Sequence, residues 1–280
     1  MSMRPWLALF ALPALLGCSL ATRALNLTSP ATEPAAVPPE VPFPSLPTVG
    51  PQLTGALPGT TEAITIREPG PGSRLVNAIL LRGMVTIPTF ENSLTARVVW
   101  DDGTDAIAPT PITVAGHAGQ TGTFDVTLPF TVSGERNAFI QVYAVSPRDG
   151  GVIHLTSSGV RLAEHGANEV VITPDEPERL SLLMPAPGAT IGGGTAHVQG
   201  FGLAGFEQTL LIEVLDASGA ILGSQPVQVQ APDLGQPGPF QADVAYETAS
   251  AGAGRIVVRD VSPAFGGDSH LVSVEVRLSP

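Results

Sequence analysis

The chain has 280 residues, with 25 acidic against 13 basic side chains and a formal net charge of −12. All the basic residues are arginine, so no lysine amine is present for Schiff-base chemistry, and a surface this acidic repels phosphate backbones, which argues against nucleic-acid binding. With 31 glycines, 28 prolines and 43% hydrophobic residues, the composition points away from disorder and helix and toward many short strands joined by Gly/Pro turns.

The first element is an apolar run, Pro5 to Leu16, preceded by the single charge of Arg4 and closed by Gly17-Cys18. It is shorter than the roughly 20 residues needed to span a bilayer, and it has the proportions of a signal peptide. Cys18 is the only cysteine in the chain. Leu15-Leu16-Gly17-Cys18 resembles the lipobox of bacterial lipoproteins. The resemblance implies removal of residues 1–17, lipidation of Cys18 and attachment to a membrane through that residue. Several acyl chains make such an anchor stable, because each buried methylene adds about 0.8 kcal/mol and one chain alone is marginal. Ser19, where an aspartate would resemble an inner-membrane retention signal, favours the outer membrane or cell surface.

Residues 18–61 form the next region, a tether carrying Pro30, Pro34, Pro38, Pro39, Pro42, Pro44, Pro47, Pro51 and Pro58. Proline fixes φ and removes a donor, so neither a helix nor a central strand is expected. The expectation is an extended spacer of about 3 Å per residue wherever polyproline II dominates.

Past the tether the chain repeats itself. Pro69, Gly72, Phe90-Glu91, Gly103, Gly122, Phe124, Ser146-Pro147 and Val160-Arg161-Leu162 recur as Pro185, Gly188, Phe206-Glu207, Gly219, Gly238, Phe240, Ser262-Pro263 and Val276-Arg277-Leu278. Each pair is 116 residues apart, and Gly83 and Gly200 differ by 117. A chance match would not keep register from end to end, so residues 62–163 and 178–280 are read as a tandem duplication. Residues 164–177 are read as a short polar hinge, with the question of a strand at Val170-Val171-Ile172-Thr173 left open.

Both units read as strands. Leu94, Ala96, Val98 and Trp100 alternate with Thr95, Arg97 and Val99; Leu210, Ile212 and Val214 do the same in the second unit. The last run sets Val272, Val274, Val276 and Leu278 against Ser273, Glu275 and Arg277. Period-two alternation predicts one buried and one wet face. Turn signals every eight to twelve or so residues, in units of about 100, predict antiparallel sandwiches. The fold class is therefore all-β: two tandem antiparallel β-sandwiches after a signal peptide and a Pro-rich tether.

The order of motifs carries a family resemblance. An opening strand, Pro-x-Pro-Gly, a Gly-bearing strand, Phe-Glu, a strand ending in Asp-Asp-Gly or Asp-x-x-Gly, Gly-x-Phe and a late Ser-Pro occur in both units. This order resembles the immunoglobulin-like domain associated with bacterial spore germination proteins. The resemblance implies that both sandwiches are immunoglobulin-like, in the cell envelope and without enzyme activity.

Candidate chemistry is sparse. Asp101-Asp102-Gly103-Thr104-Asp105 lacks the spaced ligands and distal Glu of an EF-hand and reads as a hairpin turn. His117, His154, His165, His197 and His270 show no short ligand spacing, so no metal site and no cofactor is expected. Neither a nucleophile elbow nor a phosphate-binding loop is present, and no catalytic residue is assigned. Phe90, Glu91, Phe206 and Glu207 are candidate contacts presented identically by the two units. The competing reading, preferred here, has each Phe plugging the sandwich edge while its Glu accepts loop amides. Trp100, ending a strand, is expected to serve the core. The expectation is a non-catalytic, lipid-anchored envelope protein whose partner is an envelope protein or glycan. A cell-wall polysaccharide or peptidoglycan binder is the alternative, and an envelope hydrolase a more distant one.

Overall fold

Sixteen strands follow the alternating patterns in the computed structural model, which describes residues 61–116, 121–203, 205 and 207–280. The signal peptide, Cys18, the tether up to residue 60, His117 and Phe206 lie outside the described residues. The first unit contains β1 (Ile64–Glu68), β2 (Arg74–Val76), β3 (Ala78–Val85), β4 (Ser93–Trp100), β5 (Asp105–Thr113), β6 (Gly122–Pro129), β7 (Glu135–Val145) and β8 (Val152–Ala163). The second contains β9 (Leu180–Met184), β10 (Thr190–Ile191), β11 (Thr195–Gly202), β12 (Thr209–Asp216), β13 (Ile221–Gln228), β14 (Gly238–Ala245), β15 (Gly252–Val261) and β16 (Asp268–Leu278).

In the first domain the sheet β1-β3-β6 packs against β5-β4-β7-β8; in the second, β9-β11-β14 packs against β13-β12-β15-β16. The expected inward positions supply both cores. Leu94, Ala96 and Val98 meet Ile79, Leu81 and Phe124 in one; Leu210, Ile212 and Val214 meet Val198, Phe240 and Val244 in the other. Trp100 packs partly against the first core and is covered by the Arg136 guanidinium, 4.5 Å from its ring centroid.

Two motifs far apart in sequence turn out to be one contact. Gly83 is the register partner of Phe124, and Gly200 of Phe240. A Cβ on Gly83 would lie 2.3 Å from Phe124 Cζ, and one on Gly200 would lie 2.4 Å from Phe240 Cζ. Each glycine is thus the floor on which the aromatic ring of the neighbouring strand lies.

The two domains join edge to edge. β8 pairs antiparallel with β16 through His154↔Val272, Leu155↔Leu271 and Thr156↔His270, so their four-stranded sheets merge into one. Beyond this short seam each edge is covered from within its own domain: β2 pairs parallel with the end of β8, and β10 with the end of β16. Unpaired strand edges invite foreign pairing, and here both are covered in this way.

Two expectations are corrected. Residues 164–177 do not form a free hinge. The segment runs along β1: Gly70 N–H donates to Val171 O, Thr173 N–H to Arg67 O, and Glu62 N–H to Glu176 O. No strand is formed at residues 170–173; the backbone pairing there is irregular, with isolated bridges only at Glu169 and Pro177. The face of β16 expected to be wet is also partly covered. Ser273 is buried and Glu275 half-buried, because the β7–β8 turn of the first domain lies over them.

Candidate functional site

The seam brings together polar residues that the duplication relates in pairs. Glu62 and Glu178 are 116 residues apart, as are His154 and His270, and all four are buried. Glu62 precedes β1, Glu178 precedes β9, and the histidines lie near the start of β8 and β16. The antiparallel pairing about Leu155 and Leu271 relates the domains by an approximate two-fold axis, so corresponding residues face each other as in an isologous dimer.

The carboxylates exchange hydrogen bonds across that axis. Ala63 N–H donates to Glu178 Oε2 at 2.8 Å, and Arg179 N–H donates to Glu62 Oε2 at 2.8 Å. Buried carboxylates need such partners, since each would otherwise pay the full cost of leaving water. With each Oε2 held, the Oε1 atoms turn toward His154, whose Nε2 lies 3.3 Å from Glu62 Oε1 and 3.6 Å from Glu178 Oε1. Burial pushes the Glu178 carboxyl above the usual carboxylate range; the His154 charge opposes the shift and Glu62 adds to it.

The second histidine behaves differently for a local reason. His270 pairs with Thr156, and its Nε2 lies 3.2 Å from Thr156 Oγ1. The equivalent partner of His154 is Val272, which offers no hydroxyl, leaving the His154 ring to the carboxylates. Burial, with Arg179 and His154 nearby, lowers His270 well below the usual histidine range, and its Nδ1 has no partner. Glu62, Thr156, Arg179 and His270 line a cavity of about 100 Å³, large enough for waters or an ion and too small for an organic substrate.

Further out, the same axis relates two different contacts. Arg255, almost fully buried, donates from Nη2 to both oxygens of Asp149 at 2.6 and 2.8 Å, and from Nη1 to Ser273 Oγ at 2.8 Å. At the equivalent place on the other side, Phe139 stacks on Phe265 with centroids 4.1 Å apart. An ion pair holds one flank and an aromatic pair the other. Leu155, Val257 and Leu271 form a small apolar cluster between them.

Among the residues singled out from the sequence, Phe90 does not take the packing role expected of it. Phe90 is 51% exposed and outside the core. Glu91 and Asn92 have left-handed φ of 52°, as have Glu207 and Gln208 at 50° and 53°, so the shared feature is a tight turn entering β4 and β12. The structure places Phe90 and Glu91 at the surface and does not bring them to the seam. Asp101 and Asp102 both accept from Arg136 Nη2, at 2.8 and 3.1 Å. Hydrogen bonds from Thr104, and then Arg136, lower Asp102 to about 2. His165 and His197 are exposed, beside Glu164 and Asp243. Glu62, His154, Glu178 and His270 were not picked out together by short-motif reasoning, because their ligand-like relation has no short spacing. The available signal was the 116-residue offset itself, which pairs Glu with Glu and His with His.

No curated protein matches the sequence. Several solved structures align over most of this chain. Dimeric latent PorU from Porphyromonas gingivalis aligns at 16% identity and TM-score 0.28, covering 79% of this chain and 20% of that one. Red sea bream transglutaminase aligns at 11% identity and TM-score 0.26, covering 76% and 31%. The N-terminal Ig1-2 module of the Drosophila receptor protein tyrosine phosphatase DLAR aligns at 11% identity and TM-score 0.23, covering 79% and 100%. This chain therefore spans less than a third of the first two, and likenesses at these scores say nothing of activity. The immunoglobulin-like domain of bacterial spore germination matches twice, over residues 63–151 and 180–267, the same two units that meet at the seam. The chain belongs to that family and carries two tandem copies of its domain.

Proposed function

We propose that this is a lipid-anchored bacterial envelope protein, acting as a non-catalytic interaction or structural module displayed on a proline-rich tether. The observation that carries the reading is the Leu15-Leu16-Gly17-Cys18 terminus of the apolar segment, followed at once by the proline series. The seam supports the display role: two domains that share one sheet present a single extended surface, whereas independently swivelling domains would not. Its two buried carboxylates are each held by a backbone amide of the opposite domain, as befits a fixed join. No helix among the described residues is long and apolar enough to cross a membrane; the reading places attachment on Cys18 from the residues that precede it.

Metabolic labelling tests the anchor. Expressed in a bacterial host, the wild type takes up labelled palmitate and Cys18→Ala does not; equal labelling of both sinks the proposal. Retention of the purified protein on isolated sacculi would identify a wall glycan as the partner, and turnover of an envelope substrate would overturn the non-catalytic reading.

A further inference from the structure

Two carboxylates and one imidazole converge in the seam, and the family match assigns them no role. We propose that Glu62, His154 and Glu178 form a binding site for one divalent transition-metal ion of the zinc class, which clasps the two domains together. The donor set is the first argument. One imidazole nitrogen and two carboxylate oxygens suit zinc and its neighbours, whereas calcium and magnesium favour oxygen alone. Convergence is the second. The three donor atoms lie within 4.8 Å of one another, with His154 Nε2 at 3.3 and 3.6 Å from the two Oε1 atoms. Donors bound tetrahedrally at about 2.0–2.1 Å stand roughly 3.3 Å apart, so the side chains are already near ligand spacing.

Orientation is the third argument. In metal sites the groups behind the ligands hold them in place. Here the Ala63 and Arg179 amides each hold one Oε2, the Leu180 amide reaches Glu178 Oε1 only at 3.4 Å, and both Oε1 atoms face His154. Two carboxylates balance the charge of a divalent ion beside a neutral imidazole. Of the three ligands, Glu62 also lines the 100 Å³ cavity, so one of them borders space large enough for water. His270 lines that cavity too, 8% exposed and with an unpartnered Nδ1, a buried polar group that water in the cavity could satisfy. The ligands come from both domains: Glu62 and His154 from the first, Glu178 from the entry to the second. An ion there would bind the docked arrangement and not the separated one, stabilising the seam by mass action.

The inference does not depend on lipid anchoring, and its test removes the competing thiol. The detergent-solubilised full chain carrying Cys18→Ala is stripped with chelator and titrated with Zn²⁺. Bound metal is measured after dialysis, and melting is followed in parallel. One equivalent is expected, with the melting temperature rising by about 5 °C at a hundredfold excess over Kd. Glu62→Gln and Glu178→Gln keep the side-chain volume and an oxygen able to accept the amide hydrogen bond. Folded preparations of either should lose the equivalent and the shift, while His197→Ala on the exposed face should keep both. Ca²⁺ and Mg²⁺ should give no shift. Absence of binding by the parent chain overturns the proposal, and so does binding that survives both Gln variants or disappears in His197→Ala.

Discussion

Asp149 and Arg255 show how single residues decide the join between the domains. Arg255 is nearly fully buried, held by Asp149 from the other domain and by Ser273 and Glu275 from its own strand partner. Removing one partner of such a pair costs more than the pair is worth, because the remaining charge stays buried. Burial works to raise the Asp149 carboxyl, but the Gly151 amide and the Arg255 guanidinium together outweigh it and lower it below the usual value. A carboxyl lowered on folding contributes stability that is present above its unfolded pKa, near 4, and lost as pH falls through the folded value. Asp149→Asn should therefore destabilise the protein by about 2 kcal/mol at pH 7, with the deficit shrinking below pH 4. Urea midpoints of both proteins at pH 7, 5 and 3 check this. The difference between them removes the opposite contributions of Asp260 and Asp268, whose carboxyls burial raises. A deficit constant with pH would contradict the assignment.

Within each sandwich the decisive element is the glycine-bearing strand, β3 or β11. Glycine weakens a strand on conformational grounds, so its presence there needs a packing reason. The reason is the ring of Phe124 or Phe240, which crosses where a Cβ would stand. The added methyl also meets backbone: Thr65 O lies 2.1 Å from the Gly83 Cβ position, and Ser181 O lies 2.1 Å from that of Gly200. Backbone cannot yield as a flexible side chain can. Gly83→Ala and Gly200→Ala should each cost about 1–3 kcal/mol, read as a lower urea midpoint with unchanged slope. Gly252→Ala, with nothing within 4 Å of its Cβ position, should stay within about 0.5 kcal/mol. Equal effects at the three positions would remove the aromatic-floor explanation.

At the scale of the molecule, the question is whether two similar sandwiches behave as one. The seam is short in backbone pairing but is extended by the Leu155-Val257-Leu271 cluster, the Glu–His–Glu group and the two flanking contacts. Interdomain contacts of this kind couple the unfolding of their two sides. Trp100 lies in the first domain, and the chain's one other tryptophan, Trp6, lies in the opening apolar segment. In the chain lacking residues 1–17, tryptophan fluorescence therefore follows the first domain alone, while circular dichroism follows both. The two midpoints should coincide in the wild type. Leu155→Ala combined with Leu271→Ala should separate them, and coincident midpoints in the double variant would show that the coupling lies elsewhere.

Much of this was legible in the sequence because local physics writes it there. Alternation of apolar residues encodes strands and their inner faces, so Leu94, Ala96, Val98, Leu210, Ile212 and Val214 could be assigned to cores before any coordinates. The 116-residue offset encodes the duplication, and the motif order encodes the family. What stayed hidden depends on which edges meet. Ser273 and Glu275 read as wet because alternation reports a strand's own sandwich and not the neighbouring domain that covers it. The segment 164–177 read as a hinge because its polar composition says nothing of the β1 edge along which it lies. Glu62, His154, Glu178 and His270 are scattered through the chain, and only the antiparallel pairing of β8 with β16 gathers them. The sequence alone determined two sandwiches of one family; the tertiary structure decided that they share a sheet, because pairing between strand edges is a backbone contact that side-chain pattern does not specify.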